Sequence, residues 1–344
     1  MTARISLAGD VSSALTHFAT YGLAILVEEE IVGARVMISY THDPQPRSVL
    51  EIGGVTEVDV AEAIRKVAIR WSLPDSWTQS VMEYPDGKKV ESRSPFSPRI
   101  KAFGDRKTWV KHFAFRHDFL DRLSDDGLAL QFINGLGEAA YWRKESNSPR
   151  PDDGASRWEM KTRNRGEEFV VHRFAGLATE VATWDPWQIV EGLKGRSVND
   201  VIGKNNSDSR TSTGLTRPQP TDNALAFVAL LGMGLMPPIP NVRGMSITPG
   251  AYPQHTIHPR LMILPVPSEY VTVERIRSII YSAQLDVVAR RILEGSVNDP
   301  ELDEAERVWL KHRNIAALAV FPIFKGGSSS APERQVLDGS LVIL

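Results

Sequence analysis

The sequence predicts a mixed α+β fold in which pseudo-duplicated helix, strand, strand, helix units flank a helical and hairpin middle region. Apolar residues recur at three-to-four spacing in several long segments, and short β-rich runs lie between them. Two segments near opposite ends of the chain also resemble each other, residues 12–26 (SSALTHFATYGLAIL) and residues 222–236 (DNALAFVALLGMGLM). Aligned without a gap, they match Ala14 with Ala224, Leu15 with Leu225, Ala19 with Ala229 and Gly22 with Gly232.

In the first unit, residues 1–83, Val11, Leu15, Phe18, Gly22 and Leu26 share one helical face. Residues 34–40 then read as a strand, Pro44 and Pro46 as a break, and residues 48–52 as a second strand. After Gly53 and Gly54, Thr56 is placed to cap a helix with Asp59 at the capping-box position. Val60, Ile64, Val67 and Trp71 form its apolar side.

The last unit, residues 218–344, repeats that order. The apolar run over 224–236 reads as a buried helix ending at Pro237, Pro238 and Pro240. Strands are expected over 243–248 and 260–264, and a helix from Val271 carries Ile276, Ile279, Ile280, Val287 and Val288. Two closing strands, 315–323 and 335–343, flank the flexible loop KGGSSSAPE.

The middle region, residues 84–217, has a different character. Residues 84–107 are rich in Pro, Gly and charge and read as a long irregular loop. Helices are expected over 108–123 and 127–143, then a polar loop over 146–155. A hairpin follows, with strands over 157–162 and 168–172 turning at Asn164, Arg165 and Gly166.

At 344 residues the chain buries a core without help from metal or disulfides. It has no cysteine, which excludes disulfides, thiolate zinc sites, iron–sulfur clusters and cysteine nucleophiles, and fits a reducing, cytoplasmic setting. No stretch reaches the roughly 18 apolar residues of a membrane span, so no membrane partner is expected. The 40 basic and 42 acidic residues nearly cancel, yet acids dominate up to Glu62 and bases prevail from Lys88 to Arg217.

The usual motifs of enzymes are missing: no phosphate loop, zinc helix, nucleophile elbow or dinucleotide turn is present. His117 and Asp118 form a metal-binding type of dipeptide, with His112 five residues earlier, but such a site needs ligands from other helices. In this aromatic helix His112 also reads as a surface residue, and Asp118 as a partner of Arg122. His255 and His258 lie between Pro253 and Pro259, which disfavour the helical turn that would bring them to one metal. No paired carboxylates stand out for acid–base work. No catalytic residue, metal ligand or cofactor is therefore assigned.

Binding residues are easier to find. Phosphates are held by cations and short polar side chains, and bases by planar side chains. Three segments combine these. Lys88, Lys89, Arg93, Arg99, Lys101, Arg106 and Lys107 surround Phe96 and Phe103. Arg157, Lys161, Arg163 and Arg165 lie around Trp158, where alternation puts a basic face over an apolar one. The third segment, residues 203–217, offers Lys204, Asn205, Asn206, Arg210 and Arg217; it also reads as a disordered connector.

The early helix ALTHFATYGLAIL and the polar loop SRTSTGL leading into TDNALAFVALLGMGLMPP resemble subunits of type I-G (formerly I-U) CRISPR interference complexes. The likeness covers residues 12–26, 157–172 and 210–236. It implies an accessory or large-subunit-like component of an RNA-guided antiviral complex, with cutting done by a separate helicase–nuclease. The implied partners are other CRISPR effector subunits, guide RNA and target DNA, and Arg210 is the residue it marks as functional. Thr16, His17 and Thr20 make the first helix more polar than that pattern. In such complexes base pairing reads sequence while protein grips the backbone. The rival expectations are a metal-dependent nuclease of the HD type, on His112, His117 and Asp118, and a protein-only scaffold that meets its neighbours through exposed aromatics.

Overall fold

A computed structural model of the chain describes residues 1–86, 89–160, 169–210, 213–295, 303–328 and 331–344. Strand β1 (Thr2–Ser6) precedes α1 (Ala14–Glu30), where the Ser13 side chain accepts a hydrogen bond from the Thr16 amide. Strands β2 (Val36–Tyr40) and β3 (Ser48–Gly53) follow, and β3 lies between β1 and β2 in an antiparallel sheet. Helix α2 (Glu57–Ser72) begins with the capping box read from the sequence: Thr56 accepts from the Asp59 amide, and Asp59 accepts from the Thr56 amide.

Helix α1 is buried over all of residues 14–27, so its polar side chains must find internal partners. The Thr16 hydroxyl donates to the Ala8 carbonyl at 2.7 Å, and Thr20 donates to the Thr16 carbonyl at 2.8 Å. His17 Nε2 lies 2.9 Å from the Val11 carbonyl, which can only accept. The Tyr40 hydroxyl therefore donates to His17 Nδ1, at 2.8 Å. Burial pushes the His17 pKa down to about 4 and keeps the ring neutral.

The middle of the chain departs most from the sequence reading. Part of the expected irregular loop is a hairpin of β4 (Met82–Asp86) and β5 (Lys89–Arg93), and Phe96 and Ile100 beyond it are buried. Helix α3 (Arg106–Arg122) is capped by Asp105, and α4 (Gly127–Leu136) by Asp126. Helix α4 ends earlier than expected because Gly137 takes φ 86°, a left-handed conformation that stops the helix. A tight hairpin of β6 (Lys144–Glu145) and β7 (Ser148–Pro149) turns through Ser146 and Asn147 at φ 48° and 65°.

The hairpin expected over 157–172 needs correction. Residues 157–160 form no strand, residues 161–168 lie outside the described residues, and Val170–Phe174 is a π-helical turn running into α5 (Ala175–Ala182). Packing decides this. Phe174, Leu177, Ala178 and Val181 are buried at helical spacing, and Phe174 stacks on Phe227 with centroids 5.4 Å apart. Helix α6 (Pro186–Leu193), capped by Asp185, was not foreseen either.

The last part begins with α7 (Asn223–Leu231), which tightens into a 3₁₀ turn, Gly232–Leu235. Strands β8 (Ala251–Tyr252) and β9 (Leu261–Pro267) precede helices α8 (Val273–Ile280), α9 (Ala283–Leu293) and α10 (Glu304–Lys311). The chain then forms β10 (Ile315–Ser328), β11 (Ala331–Val336) and β12 (Ser340–Ile343). These strands make a sheet in the order β11-β10-β9-β8, with β12 also on β10.

The flexible loop expected over 325–333 is instead largely drawn into the paired strands β10 and β11, and the closing strand expected over 335–343 is divided between β11 and β12. Two other expectations fail here for local reasons. In place of a strand over 243–248 there is an isolated bridge between Ile239 and Ile247, because Asn241 Oδ1 accepts from the Arg243 amide and turns the chain. The helix expected from Val271 breaks in two where Ser282 caps α9 through the Leu285 amide.

The two similar segments pack against each other. A Cβ on Gly22 would lie 1.8 Å from the Val228 carbonyl oxygen, and one on Gly232 would lie 2.2 Å from the Phe18 carbonyl oxygen. Ile38 and Val271 also exchange backbone hydrogen bonds, at 2.8 and 2.9 Å, and so join the β2 edge to the last part of the chain. One apolar cluster draws on Phe18 and Ile64, on Phe132 and Phe174, and on Phe227 and Phe321, and thus on all three segments. Among the described residues no helix is long and apolar enough to cross a membrane.

Candidate nucleic-acid interface

A separate apolar cluster underlies the middle region, formed by Tyr84, Ile100, Phe103, Trp109 and Ala139. It supports a cleft of about 590 Å³. Arg106, Trp109, Val110, Phe113 and Ala114 line it from one face of α3, as three-to-four spacing requires. Tyr141 and Trp142, then Lys144 and Asn147 of the β6–β7 hairpin, line it from across the way.

The walls are aromatic. Trp109 and Tyr141 lie 6.0 Å apart at 28°, Phe113 and Tyr141 are 5.1 Å apart, and Trp142 meets Tyr141 edge-on at 5.0 Å. The indole N–H groups of Trp109 and Trp142 have no hydrogen-bond partner, although Trp109 is only 5% exposed. Arg106 and Lys144, in the lining, and Lys101 and Lys107 nearby in sequence are all exposed. Asp105 also lines the cleft, where it accepts from the Thr108 amide and hydroxyl; those bonds hold its pKa below the usual carboxylate value.

The cations expected from the sequence fall into three groups. Lys101, Arg106, Lys107, Lys204, Arg210 and Arg217 are exposed, as are Asn205 and Asn206. Arg93, Arg99 and Arg157 are buried. Lys88, Lys161, Arg163 and Arg165 lie outside the described residues, and Lys89 contributes its backbone to β5.

The buried arginines bond to the protein's own carbonyls. Arg93 donates to the Lys101 carbonyl at 2.8 Å, pairs with Glu91 and lies over the Phe103 ring. Arg99 and Arg334 both donate to the Glu159 carbonyl at 2.8 Å, and Arg157 donates to the Asp152 carbonyl at 3.0 Å. Burial, then the neighbouring Arg99, lowers the Arg157 pKa to about 10. The basic face expected over Trp158 is thus corrected: Arg157, Trp158, Glu159 and Met160 are all buried, and the alternation of a strand does not apply. Arg334, the third member of this cluster, carried no sequence signal, since β11 brings it in from far along the chain.

Residues 203–217 are a folded loop over their described part, rather than a loose connector. Lys204 and Asn205 take φ 57° and 52°, and Asn205 Oδ1 accepts from the Asp200 amide at 2.8 Å. Thr213, Leu215 and Thr216 are buried, and the Val336 amide donates to the Gly214 carbonyl. Arg210 donates to both carboxylate oxygens of Glu333 at 2.8 and 2.9 Å, and Arg217 lies 3.6 Å from Asp338. Both guanidinium groups remain largely in water, with side chains 71% and 64% exposed.

The histidines of the rival site are separated. His112 is buried and hydrogen-bonded through Nδ1 to the Tyr84 hydroxyl, while His117 and Asp118 are exposed. Burial, then Arg116 and Arg93, lowers the His112 pKa to about 4. Arg122 donates to the backbone carbonyl of Asp118 instead of pairing with its carboxylate. Among the described residues no three His, Asp or Glu side chains gather as a metal would require.

Sequence reasoning missed Trp109, Tyr141, Trp142 and Lys144. Their signal was present in two aromatic runs, WVKHFAF and AAYWRK, but only the turn back at Gly137 sets the runs face to face. Compared with known proteins, the chain matches no family model, no curated sequence and no solved structure.

Proposed function

We propose that this chain is a non-catalytic, nucleic-acid-binding subunit of an RNA-guided CRISPR effector complex, gripping guide RNA or target DNA through its middle region. The observation that carries the reading is the exposed cations Arg106 and Lys144 lining an aromatic cleft, with exposed Lys101 and Lys107 close by in sequence. Cations beside planar side chains are the chemistry of phosphate and base contact. The exposed Arg210 and Arg217 add further cations on the loop against β11.

The test is binding by the assembled complex over a salt series. Each lost phosphate contact flattens log affinity against log salt by about 0.7 to 0.9. Arg106→Ala and Lys107→Ala should do so almost independently of target sequence, because backbone contacts position without reading. Unchanged affinity and slope in variants that assemble normally would leave the scaffold reading. Two exposed apolar side chains favour that second reading: Trp187 is 61% exposed, and Ile343, on the strand β12 that pairs with β10, is 69% exposed.

A further inference from the structure

We infer that the cleft between α3 and the β6–β7 hairpin takes an unstacked base of a single strand, with Arg106 and Lys144 holding its phosphate. The inference rests on the nucleic-acid reading above and adds the feature that is recognised. Its volume, about 590 Å³, is within the roughly 300–1,000 Å³ of small-ligand sites and too confined for a duplex. A base inside a duplex has its faces covered by its neighbours, so an aromatic wall gains little from it. An unstacked base offers a whole face.

The wall is suited to that use. Tyr141 and Trp142 are only half-buried, and Tyr141 is backed by Trp109 and Phe113, which hold its ring in place. The indole nitrogens of Trp109 and Trp142 are themselves closed to solvent, so what these residues offer the cleft is ring surface for stacking, not a hydrogen-bond donor. The lining cations Arg106 and Lys144 outnumber the lining carboxylate, Asp105, which is already bonded to Thr108. That balance favours an anionic strand over a neutral or basic peptide.

The experiment measures anisotropy of labelled oligonucleotides with the full chain: a single strand, its duplex, and the same strand made abasic. Wild type should prefer the single strand. Trp142→Ala should lose roughly tenfold or more on it, as base–aromatic stacking implies. Trp142→Phe should restore much of the loss, and the abasic strand should bind wild type and Trp142→Ala alike. Lys144→Gln, at an exposed position, should weaken binding and flatten the salt slope without changing thermal stability.

Salt-dependent binding that ignores strandedness, abasic substitution and Trp142→Ala would sink the base pocket while leaving the nucleic-acid reading standing. Absence of binding to every oligonucleotide at low salt would overturn both. A proline-rich peptide that saturates the cleft, weakens on Trp142→Ala and is not displaced by oligonucleotide would replace the base with a protein ligand.

Discussion

Gly22 on α1 and Gly232 at the end of α7 face each other where the two helices cross, and neither position has room for a side chain. A Cβ on Gly22 would meet the Val228 oxygen at 1.8 Å and the Gly232 nitrogen at 2.7 Å, both rigid backbone atoms. Gly22→Ala and Gly232→Ala should each cost at least about 2 kcal/mol or prevent soluble folding. Gly53→Ala, where a Cβ meets nothing within 4 Å, should stay within about 0.5 kcal/mol of wild type. Urea denaturation of the three variants checks this, and equal midpoints would show that the helices can part freely.

Stability should fall as the pH drops from 6.5 towards 4. His17 and His112 have folded pKa values of about 4, below the ordinary 6.5, so the unfolded chain binds more protons in that window. Their contribution is complete above the upper limit and is lost on acidification, on the order of 3 kcal/mol for each buried ring. Asp222 works the other way, since burial raises its pKa to about 6 and its contribution declines as pH rises from about 4 to 6. His258, also lowered to about 4, adds to the histidine side, and Glu28 and Asp153, both raised by burial, add to the Asp222 side; the larger histidine shifts decide the sign. Denaturation midpoints at pH 7 and pH 4.5 should differ, and the difference should shrink in His112→Gln.

Arginines that look alike in the sequence should behave differently. Arg157→Ala strips donors from the part-buried Asp152 carbonyl and the buried Asp153 carbonyl and should cost about 2–4 kcal/mol. Arg210→Ala removes an exposed ion pair with Glu333, worth about 0–1 kcal/mol, and should melt close to wild type. Thermal melts of the two variants separate a structural guanidinium from one available to a ligand.

The purified chain should not cleave nucleic acid with added divalent metal, because His112 is engaged with Tyr84 while His117 and Asp118 are exposed. Cleavage that disappears in His117→Ala would restore the nuclease reading.

Wherever one local signal dominated, the sequence was enough to place an element. Thr56 and Asp59 define the start of α2, and the short apolar run ending at Tyr40, closed off by Pro44 and Pro46, gives β2. The resemblance between residues 12–26 and 222–236 proved informative in an unexpected way, since the matched glycines touch. The middle region was harder because its order comes from distant partners. Phe174 becomes helical against Phe227, and Arg99 and Arg157 turn inward to meet Glu159 and Asp152. At the candidate site, the cations Lys101, Arg106 and Lys107 could be read from composition, but the aromatic wall depends on how α4 ends.

The pairing of α1 with α7 also sets an order of events during synthesis. An α-helix buried on every face cannot hide its apolar surface until its partner exists, and that partner is made roughly two hundred residues later. At about 5–20 residues per second, the first helix waits roughly 10 to 40 seconds after leaving the ribosome. The Ile38–Val271 bridge lengthens the delay, since the N-terminal sheet gains that neighbour only when most of the chain has been translated. The nascent chain therefore carries an apolar helix with nothing to cover it, and nonsense truncation anywhere before Asp222 should yield an aggregate instead of a smaller working domain.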